Sequence, residues 1–215
     1  MFERSSFRED ELKMPNKMKI LNRVFLPMIL GAAVSTSCVS TYTGNSISRI
    51  GQLNPSGATY VAIPPDGHFE SRLYYGSGMK TAQAVNQALA ARTKRTEVAA
   101  TVRPAEESLT AARAGGFDYL ITPTILCWVD RATEWSGMLD TMGVEIRTVR
   151  VADGETIALG RVTGKSKWMT LSDDAPEQLL AEPIGIYVDW LFSPVGTPLP
   201  LREEVPSAQY ANEED

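Results

Sequence analysis

The densest run of chemically capable side chains is Trp128-Val129-Asp130-Arg131-Ala132-Thr133-Glu134-Trp135-Ser136-Gly137. Two carboxylates four residues apart, Asp130 and Glu134, could be folded by a turn into an acid/base pair of the kind that hydrolyses glycosidic bonds. Such pairs usually come from separate elements, whereas these are nearly consecutive. Arg131 between them also favours both ionised forms, which opposes the raised pKa that a general acid needs. The same residues suit a hairpin corner or a partner-contact patch, with Arg131 paired to a carboxylate and Trp135 covering a sheet end. We take Asp130, Arg131, Glu134 and Trp135 as a structural or partner-binding corner, and an envelope hydrolase using Asp130 and Glu134 as the alternative.

Other candidates are weaker. Gly76-Ser77-Gly78 before a helical stretch could cradle an anion on backbone N–H groups. It lacks the Walker lysine spacing and the Rossmann glycine pattern, and reads as a flexible start to the helix. Ser136 stands in Trp-Ser-Gly rather than Gly-x-Ser-x-Gly, and a chain with one histidine, His68, is a poor host for a serine triad. His68, between Gly67 and Phe69, reads as an exposed loop residue, and one imidazole with two cysteines makes no zinc set. No catalytic residue, cofactor or metal is expected.

Cys38 carries a different chemistry. Lys19 and Arg23 precede an apolar run from Val24 to Val34, and Ser35-Thr36-Ser37 leads into the cysteine. A basic segment, a short apolar core and small residues at the cut form an export signal. The core is shorter than the roughly 20 apolar residues of a membrane span. Cysteine at that position resembles the lipobox of bacterial lipoproteins, with Ser35 where Leu, Val or Ile is usual. Cys38 is therefore the expected lipidation site, with a soluble protein cut near Ser37 as the alternative. Residues 1–17, with Glu9-Asp10-Glu11 ahead of the basic segment, fit no export signal, and translation starting at Met14 or Met18 would explain them. Val39 rather than Asp after the cysteine favours the periplasmic face of the outer membrane.

From Cys38 onward, 15 basic and 22 acidic residues give a net charge of −7. A body this acidic, without a basic run, has no electrostatic footprint for nucleic acid and no polybasic patch for anionic lipid. Membrane attachment must come through a lipid anchor, and the remaining partners expected are an envelope protein or the cell wall. Hydrophobic residues at 43% and charged residues at 22% predict a packed domain.

The elements that must position these residues read as follows. Residues 38–58, rich in Ser, Thr, Gly and Asn, predict a flexible lipidated tether. Residues 59–192 predict one periplasmic domain. Thr59–Ile63 is a short strand ended by Pro64-Pro65. Ala82, Val85 and Leu89 form the apolar stripe of a helix. Glu97–Val102 is strand-like, and Pro104 with Glu106-Glu107 opens a second helix ended by Gly115-Gly116. Tyr119–Val129 is a central strand in which Pro123 needs a bulge or a free edge. Val144–Val151 and Thr156–Thr170 are strands joined at Asp153-Gly154. A last helix lies within Pro176–Phe192, with Leu180, Ile184, Tyr187, Val188 and Leu191 on one stripe. Residues 193–215, with four prolines and an acidic end, predict a disordered tail. The order β-α-β-α-β-β-β-α predicts an α/β (α+β) domain with a single mixed sheet of about five strands and helices packed on it.

Tyr75-Gly76-Ser77-Gly78, Asp118–Pro123, Trp128 with Asp130–Gly137, Gly164-Lys165-Ser166 with Trp168, and Pro176-Glu177 with Leu179-Leu180 together resemble a bacterial lipoprotein family, domain of unknown function 4823, over roughly residues 60–192. The resemblance implies a lipoprotein with an α/β body and implies no activity.

Overall fold

The computed structural model describes residues 40–130, 139–166 and 175–201. Eight strands and three helices follow in the order β1 (Thr41–Arg49), β2 (Ala58–Val61), β3 (His68–Phe69), β4 (Arg72–Leu73), α1 (Ser77–Ala90), β5 (Arg95–Val98), α2 (Ala105–Ala114), β6 (Tyr119–Val129), β7 (Thr141–Arg150), β8 (Thr156–Lys165) and α3 (Ala181–Leu191). A 3₁₀ turn at Pro176–Leu179 precedes α3. Six strands form one mixed sheet in the order β1-β8-β7-β6-β2-β5, while β3 and β4 pair as a small separate hairpin. Strands β5, β2 and β6 are parallel, and β6, β7, β8 and β1 are antiparallel neighbours. The expected mixed sheet with packed helices is what forms, with one strand more than the five counted.

That extra strand is β1, and it corrects the tether. Thr41–Arg49 pairs along β8 with a bulge between Ser46 and Ser48, and Leu53 is 1% exposed in the core. Only 40–58 of the expected tether is described. A low apolar content argued for a linker, but an edge strand needs only one partner and one covered face. Thr41, Tyr42 and Thr43 suit the extended backbone, and the side chains of Leu199 and Leu201 sit over Gly44. The same contact corrects the start of the tail, because described residues 193–201 lie against the domain. The Trp190 indole N–H donates to the Thr197 carbonyl at 2.7 Å.

On one face of the sheet, Met142, Val144 and Ile146 of β7 and Val162 of β8 are fully buried, as are Ala82, Val85 and Leu89 of α1 and Ile184 and Tyr187 of α3. The stripes predicted for α1 and α3 are thus the buried ones. Tyr187 reaches the sheet and donates its hydroxyl to the Ile146 carbonyl at 3.0 Å. Burial pushes its phenol well above the ordinary tyrosine range. The Asp153-Gly154 signal is realised as the β7–β8 connection, with Gly154 at φ 77°.

Pro123 has a local reason to be tolerated. The Ala62 N–H donates to the Ile121 carbonyl, so Ile121 and, two residues on, Pro123 turn their backbone polar groups toward β2. Pro123 has no N–H to continue that ladder, and β2 has ended by then at Val61, opposite Ile121. The bulge in β6 lies further along, between Ile125 and Cys127.

Candidate functional site

The strand directions decide where a cleft can form. Because β2 and β5 are parallel, α1 must run back between them, and its first turn lies at the carboxyl end of β2. At that end β2 leaves through α1 toward β5 on one side while β6 leaves toward β7 on the other, so the outgoing connections of these neighbours part there. Such switch points, outside the carboxyl ends of parallel strands, are where open α/β sheets take ligands. Here a cavity of about 250 Å³ is lined by Arg72, Leu73, Tyr74, Tyr75, Ser77, Lys80, Trp128, Asp130 and Glu177.

Its parts come from four segments. Trp128, 2% exposed, forms the floor at the end of β6, next to Asp130. The β3–β4 hairpin turns at Glu70, which adopts φ 51°, and then supplies Arg72. The Arg72 guanidinium lies 3.7 Å from an Asp130 carboxylate oxygen and stacks 4.8 Å from the Tyr74 ring centroid. The Asp130 backbone N–H donates to the Tyr74 hydroxyl at 3.4 Å. Across the cleft, Lys80 of α1 and Glu177 of the 3₁₀ turn pair at 2.6 Å. The hydrogen bond from Lys80 holds the Glu177 carboxyl below the usual carboxylate range.

The Gly76-Ser77-Gly78 cradle is occupied by the protein itself. Asp66 accepts from the Gly76 N–H at 3.0 Å with one carboxylate oxygen and from the Gly78 N–H at 2.8 Å with the other. Ser77 Oγ in turn accepts from the Gly67 N–H at 2.8 Å. The glycines are required here. Gly76 sits at φ 84°, and a Cβ on Gly78 would fall 2.2 Å from the Pro64 carbonyl oxygen. The flexible helix start expected from these glycines is instead a loop pinned by an internal carboxylate.

Asp130 is therefore placed in the cleft, where among the described residues Arg72 faces it. Arg131, Glu134 and Trp135, the other members of the expected corner, and the lipidation candidate Cys38 lie outside the described residues. His68 is exposed as expected, but it lies on strand β3 rather than in a loop. Sequence reasoning missed Arg72, Tyr74, Lys80 and Glu177. The hairpin that brings the first two has no Gly, Asn, Asp or Pro at its turn, so no turn signal marks it. A larger depression of about 370 Å³, lined by Arg113, Asp118, Tyr119 and Arg150 among others, lies at the opposite end of the sheet. Its polar groups are committed to the fold: Asp118 accepts from the Ala58 N–H, Arg113 donates to the Val151 carbonyl, and Arg150 bridges Asp153 and Glu155. Among the described residues no group of His, Cys, Asp or Glu is arranged to hold a metal ion, and no helix is long and apolar enough to cross a membrane.

Residues 51–191 match the family described as Domain of unknown function (DUF4823). The chain belongs to that family. Among solved structures, PelC from Paraburkholderia phytofirmans, crystallised as a dodecamer, has TM-score 0.53 and 15% identity over 67% of this chain and 96% of its own. Lipoprotein GNA1162 from Neisseria meningitidis has TM-score 0.42 and 14% identity over 63% of this chain and 97% of its own. The likeness to PelC shows a shared fold. No curated protein matches the sequence.

Proposed function

We propose that this DUF4823 member is a lipid-anchored protein of the cell envelope, held through Cys38 on the periplasmic face of the outer membrane. It acts by contact with another envelope component through the cleft end of its sheet, without bond chemistry. The observation that carries this reading is the pairing of the carboxylates at this end of the sheet. Asp130 faces Arg72, Glu177 is bound by Lys80, and Asp66 is committed to two backbone amides. The Lys80 hydrogen bond holds the Glu177 carboxyl in its charged form, and a neighbouring cation works against the neutral carboxyl that general-acid catalysis requires. What the cleft offers instead is aromatic surface flanked by fixed charges, which is the chemistry of recognition.

The anchor follows from the basic-apolar-small layout ahead of Cys38. Two or more acyl chains hold a protein stably at a bilayer where one does not, each buried CH₂ contributing about 0.8 kcal/mol. Cys38→Ser is expected to move the protein from the membrane pellet to the soluble periplasm. Unchanged pelleting, together with unchanged processing under a lipoprotein-peptidase inhibitor, would refute the anchor. Hydrolysis of peptidoglycan fragments by the wild type that disappears in Glu134→Gln would establish the hydrolase alternative.

A further inference from the structure

We infer that the cleft end of the domain is its membrane-contact surface, and that its partner is the zwitterionic headgroup layer of the bilayer that carries the anchor. This inference rests on acylation at Cys38. It starts from the position of β1. Thr41 pairs with Lys165, Lys165 with Thr141, and Thr141 with Val129, so all four lie in one row across the sheet. That row borders Asp130 and the cleft. The chain therefore enters the domain at the cleft end, three strand spacings or about 14 Å to the side of β6.

The length of chain outside the domain then fixes orientation. Cys38 lies three residues before Thr41, a span of about 10 Å at full extension. Strand β1 has nine residues and runs about 30 Å from the cleft end to the opposite end. An anchor with a reach of about 10 Å holds the near end against the bilayer surface, and a domain standing on that end carries the far end about 30 Å away from it.

The side chains at the near end suit that surface. Tyr75 is 85% exposed. Leu73 and Met79 beside it, and Val102 between β5 and α2, are exposed as well. Tyrosine with an apolar body and a polar tip is a residue of the membrane–water interface. Among the described residues the exposed hydrophobics of the opposite end are Ile47, Ile50 and Val195, which a domain standing on its cleft end holds away from the bilayer. The cleft's cations, Arg72 and Lys80, are each matched by a carboxylate within ion-pair distance. A surface of alternating, balanced charges answers a headgroup with one ammonium and one phosphate better than a purely anionic lipid, for which an unpaired basic cluster would be needed.

The test uses the full-length acylated protein reconstituted in vesicles of phosphatidylethanolamine with a minor fraction of phosphatidylglycerol. The Cys38→Ser chain mixed with the same vesicles is the comparison. Flotation with the vesicles reads the anchor, and hydroxyl-radical oxidation followed by peptide mass spectrometry reads the orientation. The anchored chain is expected to float and to oxidise several-fold more slowly at Leu73, Tyr75 and Met79, with unchanged rates at Ile47, Ile50 and Val195. A chain that does not float overturns the acylation reading and this inference with it. A chain that floats but is unprotected at Tyr75 and Met79, or is protected at Ile47, Ile50 and Val195 instead, overturns the orientation alone. Protection at Tyr75 that vanishes as the protein is diluted in lipid would assign the surface to a second copy of the chain and overturn the lipid assignment.

Discussion

Asp66→Ala would test the internally filled cradle. The wild-type carboxylate accepts from two backbone N–H groups, one at exposed Gly76 and one at buried Gly78. Loss of a side-chain cap costs about 1 kcal/mol, and a hydrogen bond to a charged acceptor contributes about 1.5–3 kcal/mol where water is partly excluded. The substitution is thus expected to destabilise the domain by about 2–3 kcal/mol. At about 2–4 °C per kcal/mol for a domain of this size, Tm falls by about 5–10 °C. Asp66→Asn keeps one acceptor oxygen for two donors and should fall between the two.

Urea unfolding followed by tryptophan fluorescence measures the difference, and sulfate supplies an independent check. In Asp66→Ala the two N–H groups are open to an added anion. Sulfate at ten times its Kd would return about 1.4 kcal/mol to the variant by mass action, while the wild type, whose cradle is filled, gains no such site. A loss below about 0.5 kcal/mol, the range of ordinary surface substitutions, would refute the reasoning. So would equal stabilisation of both proteins by sulfate.

Three further outcomes are expected. A chain cut to residues 59–192 loses β1 and Leu53, uncovers the β8 edge and should aggregate or unfold non-cooperatively, whereas one starting at residue 40 melts as a unit; urea melts of the two decide. The Tyr187 phenol, raised by burial, should stay protonated in alkaline difference spectra until the fold is lost, and Tyr187→Phe should cost about 1 kcal/mol for the hydrogen bond to Ile146. Glu177 has a folded pKa below its unfolded value, so its pairing with Lys80 stabilises above the unfolded carboxylate range near pH 4.3 and is lost as pH falls through the folded value. For a pair this exposed the stability gap between wild type and Glu177→Gln should be about 0.5–1 kcal/mol at pH 7 and close in acid.

What was legible in the sequence was whatever one segment decides alone. The stripe Ala82, Val85, Leu89 marks a helix because burial repeats with the helical turn. Tyr119–Val129 marks β6 because its apolar run suits a central strand, buried on both faces at Leu120 and Ile121 although Thr124 and Leu126 are exposed. Asp153-Gly154 marks a connection because glycine admits the left-handed backbone. Strand β1 was not legible because its apolar face is supplied by others. Leu199 and Leu201, from what read as tail, cover Gly44, and β8 provides the ladder. A segment whose stability lies in remote partners looks like a linker when its own composition is all there is to weigh.

The cleft makes the same point for function. The conspicuous string from Asp130 to Gly137 drew attention because its charges are adjacent in sequence, yet the described partners of Asp130, Arg72 and Tyr74, come from the hairpin, Tyr74 from 56 residues away. Lys80 and Glu177 meet across 97 residues. Neither pairing leaves a mark on spacing, because each depends on α1 and the 3₁₀ turn arriving at the same end of the sheet. The Gly-Ser-Gly loop shows the converse: its backbone is built to hold an anion, and the anion is Asp66, ten residues upstream of Gly76. A phosphate-cradle motif read from glycines alone identifies the geometry of the amides but not whether they are vacant. At this site the difference separates a ligand pocket from a rigid loop that presents Tyr75 at the surface.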